Sequence, residues 1–124
     1  MKTLLINGSP NEHGCTYTAL SEVANILHKH EIETEILYLG KKPIVGCIAC
    51  MNCSQTGKCV FNDQVNQTLE KLDTYDAIIL GSPVYYAGPS GQLTAFLDRL
   101  FFCSEATHGG KIRSKHCFLP TWGS

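Results

Sequence analysis

Apolar residues along the chain cluster in short runs that alternate with stripes of helical spacing. TLLIN (3–7) is a nearly continuous apolar run, as expected of a strand covered on both faces. GSPNEHG (8–14) is turn-forming, and from Thr16 to His30 the residues Leu20, Val23, Ala24 and Leu27 mark one face of a helix. ETEILYL (33–39) predicts a second strand, so strand, helix and strand form a βαβ unit, expected to be right-handed. After an irregular segment, Asn62 is placed to cap a helix carrying Val65, Leu69 and Leu72. DAIILGS (76–82) predicts a third strand, and Leu93, Phe96, Leu97, Leu100 and Phe101 predict a further helix. A last short strand is expected over about 116–119, with Pro120 interrupting the terminal run. The alternation implies an α/β fold, with an open parallel sheet and helices on both faces.

Sheets of that kind bind ligands outside the carboxyl ends of their strands. Segments 8–16 and 82–90 both follow predicted strands and therefore share that edge. The first brings Ser9, Asn11, Thr16 and Thr18 to a helix start, where unpaired N–H groups and the helix dipole attract an anion. The same residues also suit an ordinary capped helix. No P-loop lysine and no GxGxxG spacing is present, which argues against nucleotide triphosphate hydrolysis. The second segment, SPVYYAGPSG, sets Tyr85 and Tyr86 among small residues. A flat cofactor needs an aromatic wall and close backbone approach, which Gly88 and Gly91 allow; half-buried packing of the tyrosines is the plainer reading.

Composition narrows the field. A chain of 124 residues that is 44% hydrophobic suits one domain, and a formal net charge of -1 offers no basic surface for nucleic acid. The apolar start meets Gly8 and Pro10 too early for a secretory signal, and no run reaches membrane-spanning length. The expected compartment is the cytoplasm, where structural disulfides are rare, and seven cysteines there point to metal, redox work or burial. Four of them, Cys47, Cys50, Cys53 and Cys59, form C-x2-C-x2-C-x5-C in an expected loop, with Gly57 easing the return of the last. Four thiolates so spaced can surround one [4Fe–4S] cluster; zinc, which usually takes two separated pairs, and free or oxidised thiols remain alternatives. Burial is expected for Cys15, Cys103 and Cys117. His13, His28, His30, His108 and His116 form no acid–base constellation, so no catalytic residue is nominated.

LLINGSP, the cysteine segment and GSPVYYAGPSGQLTAFLDRL occur in the order seen in the flavodoxin-like NAD(P)H-dependent FMN reductases, and the chain resembles their iron–sulfur flavoprotein branch most closely over residues 3–103. The resemblance implies a flavodoxin-like three-layer fold in which residues 1–124 form one FMN-binding domain with a cysteine-rich loop at 46–59. It assigns the FMN phosphate to Ser9, Asn11, Thr16, Tyr17 and Thr18, with Pro10 shaping the turn. Asn11 stands where many relatives carry a basic residue. Pro83, Val84, Tyr85, Tyr86, Ala87 and Gly88 would wrap the isoalloxazine ring, with lesser claims for Ser82 and Ser90, the latter suited to cap the next helix. Cys47, Cys50, Cys53 and Cys59 match the cluster ligands of that branch, and Asp98 and Arg99 suit a structural ion pair or subunit contact.

The implied activity is an FMN-dependent oxidoreductase taking hydride from NADH or NADPH, without a protein nucleophile. Its electrons would go to an acceptor that the sequence does not name, such as a protein electron carrier. The rival readings are an FMN-binding electron-transfer protein without NAD(P)H activity, and a shortened structural domain that binds no flavin. Relatives of this kind continue further, so the fifth strand and last helix are expected to be lacking. Thr121, Trp122 and Gly123 are candidates for a third cofactor loop or a frayed end, and a homodimer is expected to cover the unfinished sheet.

Overall fold

The computed structural model describes residues 1–108 and 116–121. In chain order these form β1 (Lys2–Asn7), α1 (Cys15–Lys29), β2 (Glu33–Tyr38), α2 (Asn52–Thr56), α3 (Gln64–Lys71), a 3-10 turn over Leu72–Thr74, β3 (Ala77–Pro83), α4 (Gly91–His108) and β4 (His116–Thr121). The strands are all parallel, in the order β2-β1-β3-β4. Trp122 and Gly123 lie outside the described residues, as do the side chains of His108, His116 and Cys117.

Side chains of successive strand residues point to opposite faces, and each face meets helices. Leu5 and Ile79 pack with Leu20 and Ala24 of α1, whereas Leu4, Ile6, Ile78 and Leu80 face Val65, Leu69, Phe96 and Leu100 of α3 and α4. Leu5, Ile6, Leu20, Val65, Leu93, Phe96 and Leu100 have no exposed surface, and each such side chain contributes about 1.5–3 kcal/mol through burial. Coverage on both sides explains why β1 and β3 read as apolar runs rather than alternating patterns. The result is the three-layer flavodoxin-like α/β fold. Among the described residues no helix is long and apolar enough to cross a membrane.

Four local expectations need correction. Asp63, not Asn62, caps α3: its extended backbone lets the carboxylate accept from Val65 N at 3.0 Å. The cysteine segment is not wholly loop, because residues 52–56 close one short helix, α2. Pro120 does not end the last strand, which runs on to Thr121 with Pro120 opposite Ser82. A proline removes a ladder donor, but β4 is the outer strand of the described sheet and has one side without a partner strand. Cys15 is exposed at the first residue of α1 rather than buried.

The chain leaves β1 for β2 on one side and later reaches β3 on the other, so the connections diverge between β1 and β3. Open sheets bind ligands at such a divergence, as flavodoxin does. Two glycines let helices close on this edge. A Cβ on Gly8 would stand 2.8 Å from Leu93 Cβ, and one on Gly81 would stand 2.9 Å from Leu20 and Thr16 side-chain atoms.

Candidate functional site

The ends of β1, β3 and β4 are fastened to one another at that edge. Gly8 N donates to Gly81 O (2.8 Å), and the Ser90 hydroxyl donates to Gly8 O (2.7 Å). Ser90 N in turn donates to Ser82 Oγ (2.8 Å), while Ser90 Oγ accepts from Leu93 N (3.3 Å) at the start of α4. Thr121 Oγ1 donates to Ser82 O (3.0 Å) and lies 2.7 Å from Thr16 Oγ1, and its carbonyl accepts from Val84 N (2.9 Å). Ser82 and Ser90 therefore work as buried braces between the two loops, and Ser90 also caps α4. Thr121 is tied into the edge rather than frayed.

The first loop is held from within. Asn7, fully buried at the end of β1, accepts from Ser9 N (3.0 Å) and donates to Glu12 O (3.1 Å). Ser9 is likewise buried, and its hydroxyl accepts from Asn11 N (3.1 Å). Tyr38, at the end of β2, donates to Pro10 O (2.7 Å). Thr16 is turned inward against Thr121, Thr18 Oγ1 donates to Gly14 O (3.2 Å), and Tyr17 meets the His13 ring edge-on at 4.7 Å. Asn11 is exposed beside an open hollow of about 510 Å³ that Gly14, Tyr38 and Lys41 also line. The N-terminus of α1 is capped by no side chain and has no acid in its first turn, in contrast to α3 with its Asp63 cap. Its first N–H groups and the positive end of the helix dipole suit an anion. A second hollow of about 530 Å³, near Lys2, His28 and Glu33, lies at the opposite edge of the sheet, away from these loops.

In the second loop Pro83 is buried at the end of β3 and Val84 is half-buried. Tyr85 and Tyr86 are 62% and 94% exposed, so neither serves as the half-buried packing residue of the plainer reading. Ala87 takes φ 52°, a left-handed value that disfavours a residue with a Cβ by about 1–2 kcal/mol. The loop thus presents two aromatic side chains to the outside from a constrained turn. A Cβ on Gly91 would meet nothing, and one on Gly88 only Tyr86 O at 3.8 Å, so the space beside both is open.

The cysteine segment coils through left-handed residues at Ala49 (φ 54°), Met51 (φ 62°) and Gly57 (φ 74°), the last closing α2. Cys47 and Cys50 are exposed, Cys53 is buried and Cys59 is intermediate, yet all four line one small apolar pocket of about 20 Å³. Cys103 of α4, spaced like none of them in sequence, lines it too; burial and then contacts with Cys53 and Cys59 push its thiol up to about 12. The donor chemistry suits a thiophilic metal. The side chains are less converged than that chemistry requires, since no three Cys, His, Asp or Glu among the described residues stand around one metal-sized point. Arg99 pairs with Asp63 at 2.7 Å rather than with neighbouring Asp98, and its Nε donates to Cys59 Sγ (3.2 Å). Burial works against the Arg99 charge, but Asp63 and Cys59 hold its pKa above the usual value.

Asn7 and Tyr38 are not singled out by the sequence, and Arg99 and Cys103, expected as a structural ion pair and a buried thiol, carry no local signal that links them to the cysteine segment. Only the asparagine at the end of a strand offers a hint, because short polar side chains readily bond the turn that follows.

Comparison with known proteins agrees with this architecture. The family model described as NADPH-dependent FMN reductase matches residues 1–118. An iron-sulfur flavoprotein of Methanocaldococcus jannaschii is 42% identical over 99 residues, covering 80% of this chain and 51% of its own. One from Archaeoglobus fulgidus is 33% identical over 100 residues, covering 81% and 46%. The crystal structure of a Streptococcus mutans protein, Smu.1420, superposes with a TM-score of 0.63 at 22% identity, over 82% of this chain and 53% of that one. The chain spans about half the length of the curated relatives it matches. By its sequence and its fold, this chain belongs to the NADPH-dependent FMN reductase family, within which it lies with the iron–sulfur flavoproteins.

Proposed function

We propose that the chain is the FMN-holding part of an oxidoreductase that takes hydride from NAD(P)H and passes electrons to an acceptor through a [4Fe–4S] cluster. The observation that carries this reading is the convergence of an uncapped helix start and two exposed tyrosines at the divergence of the sheet. Bound FMN supplies a redox ring able to accept hydride and release electrons singly or in pairs. The chain's own contribution is positional. The α1 N-terminus meets the phosphate, with Asn11, Tyr17 and Thr18 around it, Pro10 setting the turn, and Asn7, Ser9, Thr16 and Tyr38 behind it as supports of the loop. Pro83, Val84, Ala87 and Gly88 set the floor beside the ring, and Tyr85 and Tyr86 shield it from water.

Cys47, Cys50, Cys53 and Cys59 are the residues that would hold the cluster; what supports this is their shared pocket and thiolate chemistry. Iron, sulfide and zinc content of anaerobically purified protein tests that part separately. Stoichiometric iron and sulfide support it, and stoichiometric zinc or bare thiols overturn it. A homodimer belongs to the same proposal, since the exposed tyrosines leave one side of the ring site open. Dilution would then release FMN and dissociate the dimer together, whereas a flavin-loaded monomer by light scattering contradicts it.

The direct test of the activity is NADH or NADPH oxidation with and without added FMN, using a quinone or ferricyanide as acceptor. FMN-dependent oxidation is expected. FMN binding without oxidation would favour an electron-transfer protein reduced by another enzyme, and absence of FMN binding would reduce the chain to a structural domain.

A further inference from the structure

Arg99 has the largest fully buried side chain in the described molecule, with 1% of its surface exposed. A guanidinium carries five N–H donors and tolerates burial only when they are paired. Here all five are used. Nη1 and Nη2 each donate to one oxygen of Asp63, at 2.7 and 2.8 Å. The remaining Nη protons go to Val45 O (3.2 Å) and Phe61 O (3.0 Å), and Nε donates to Cys59 Sγ (3.2 Å). The Phe61 ring lies over the guanidinium, 5.2 Å from Cζ.

The sequence positions of these partners give the arrangement its meaning. Val45 stands two residues before Cys47, and Phe61 two residues after Cys59, so one planar cation joins both ends of the cysteine segment. Asp63 is also the cap of α3, which anchors the cation to a helix on the far side. The carboxylate fork and the two backbone carbonyls account for four of its donors, and the fifth goes to a sulfur lining the cysteine pocket. Hydrogen bonds to ligand sulfurs, and groups that orient ligands from behind, set metal affinity and redox potential.

We infer that Arg99 is a positioning residue for the cysteine site: its guanidinium closes the 45–61 segment and its Nε–H holds Cys59 Sγ as one donor to a thiophilic metal centre. This rests on the reading of the four cysteines as metal donors, whereas the closure of the segment does not.

Three measurements separate the parts. In metal-free protein, amide exchange over 46–60 is expected to rise by about tenfold or more in Arg99→Lys, which keeps the charge but loses the fork; unchanged exchange overturns the closure. With Cd2+ as the probe, affinity in Arg99→Lys is expected to fall by about 10–100-fold, the usual effect of losing a supporting group; equal affinity overturns the positioning role. Should the variant not fold, wild-type protein still decides the matter. On saturation with 113Cd, the Arg99 Nε–H resonance should shift and couple to the metal through the Cys59 sulfur. An unmoved resonance in Cd-loaded protein overturns the donor role. Wild-type protein that takes up no Cd2+ overturns the metal reading and the donor role together, while the exchange result still reports on the closure.

Discussion

Tyr86 and Thr16 share one sheet edge but have opposite surroundings, and truncation of each should have opposite consequences. Tyr86 is 94% exposed, so Tyr86→Ala should change unfolding stability by less than about 0.5 kcal/mol while weakening FMN binding. Urea unfolding and flavin fluorescence quenching measure the two effects. Thr16 is buried with its hydroxyl on the half-buried Thr121, so Thr16→Val should cost about 1 kcal/mol by removing that hydrogen bond. A stability loss on Tyr86→Ala, or none on Thr16→Val, would mean that the packing at this edge is misassigned. At this scale the sequence was informative where a residue's neighbours in the chain define its place, as in the aromatic loop between β3 and α4. It was silent where the partner is distant: Thr121 lies 105 residues from Thr16, and Tyr38 lies 28 from Pro10. The choice of Asp63 over Asn62 as a cap has the same origin, since its carboxylate also answers a buried cation 36 residues away.

Among the elements, α1 begins at Gly14 without a side-chain cap, in backbone that other residues can adopt (φ -82°, ψ -160°). Gly14→Asp should stabilise the helix by a few tenths of a kcal/mol to about 1 kcal/mol, through capping and the dipole. If the same N–H groups meet the FMN phosphate, the new carboxylate should also lower FMN affinity by about tenfold or more, a cost of about 1.4 kcal/mol in binding. A more stable variant with unchanged FMN affinity would move the phosphate elsewhere.

Strand β2 carries a pH dependence. Glu35 lies below the usual carboxylate pKa because Tyr75 OH donates to it (2.7 Å), with Lys2 at 3.3 Å and Lys71 at 3.7 Å adding to the effect. A lowered folded pKa contributes stability that is present above the unfolded value, about 4.3, and lost as pH falls through the folded one. Glu35→Gln should therefore remove part of the stability change below about pH 5. The removed part should stay under about 1 kcal/mol, because the carboxylate is about a third exposed. Urea midpoints at pH 7 and pH 4 test this, and a parallel shift at both would contradict it.

On the scale of the whole molecule, strand runs and helical stripes were enough to give the layers, the parallel sheet and the edge where loops gather. These features follow from local periodicity and two-sided burial, as the opposed faces of Leu4 and Leu5 illustrate. That the cysteine segment is irregular was legible, but its path was not, because left-handed Ala49 and Met51 leave no compositional mark and Arg99 closes the segment from another helix. In the proposed function this sheet edge holds FMN by its phosphate as well as its ring. Calorimetric titration of the wild-type protein with FMN and with riboflavin tests it most directly, because the two ligands share the ring and differ in the phosphate. Stoichiometric FMN binding with riboflavin weaker by about tenfold or more is the predicted result; equal affinity for the two, or no binding of FMN, would contradict it.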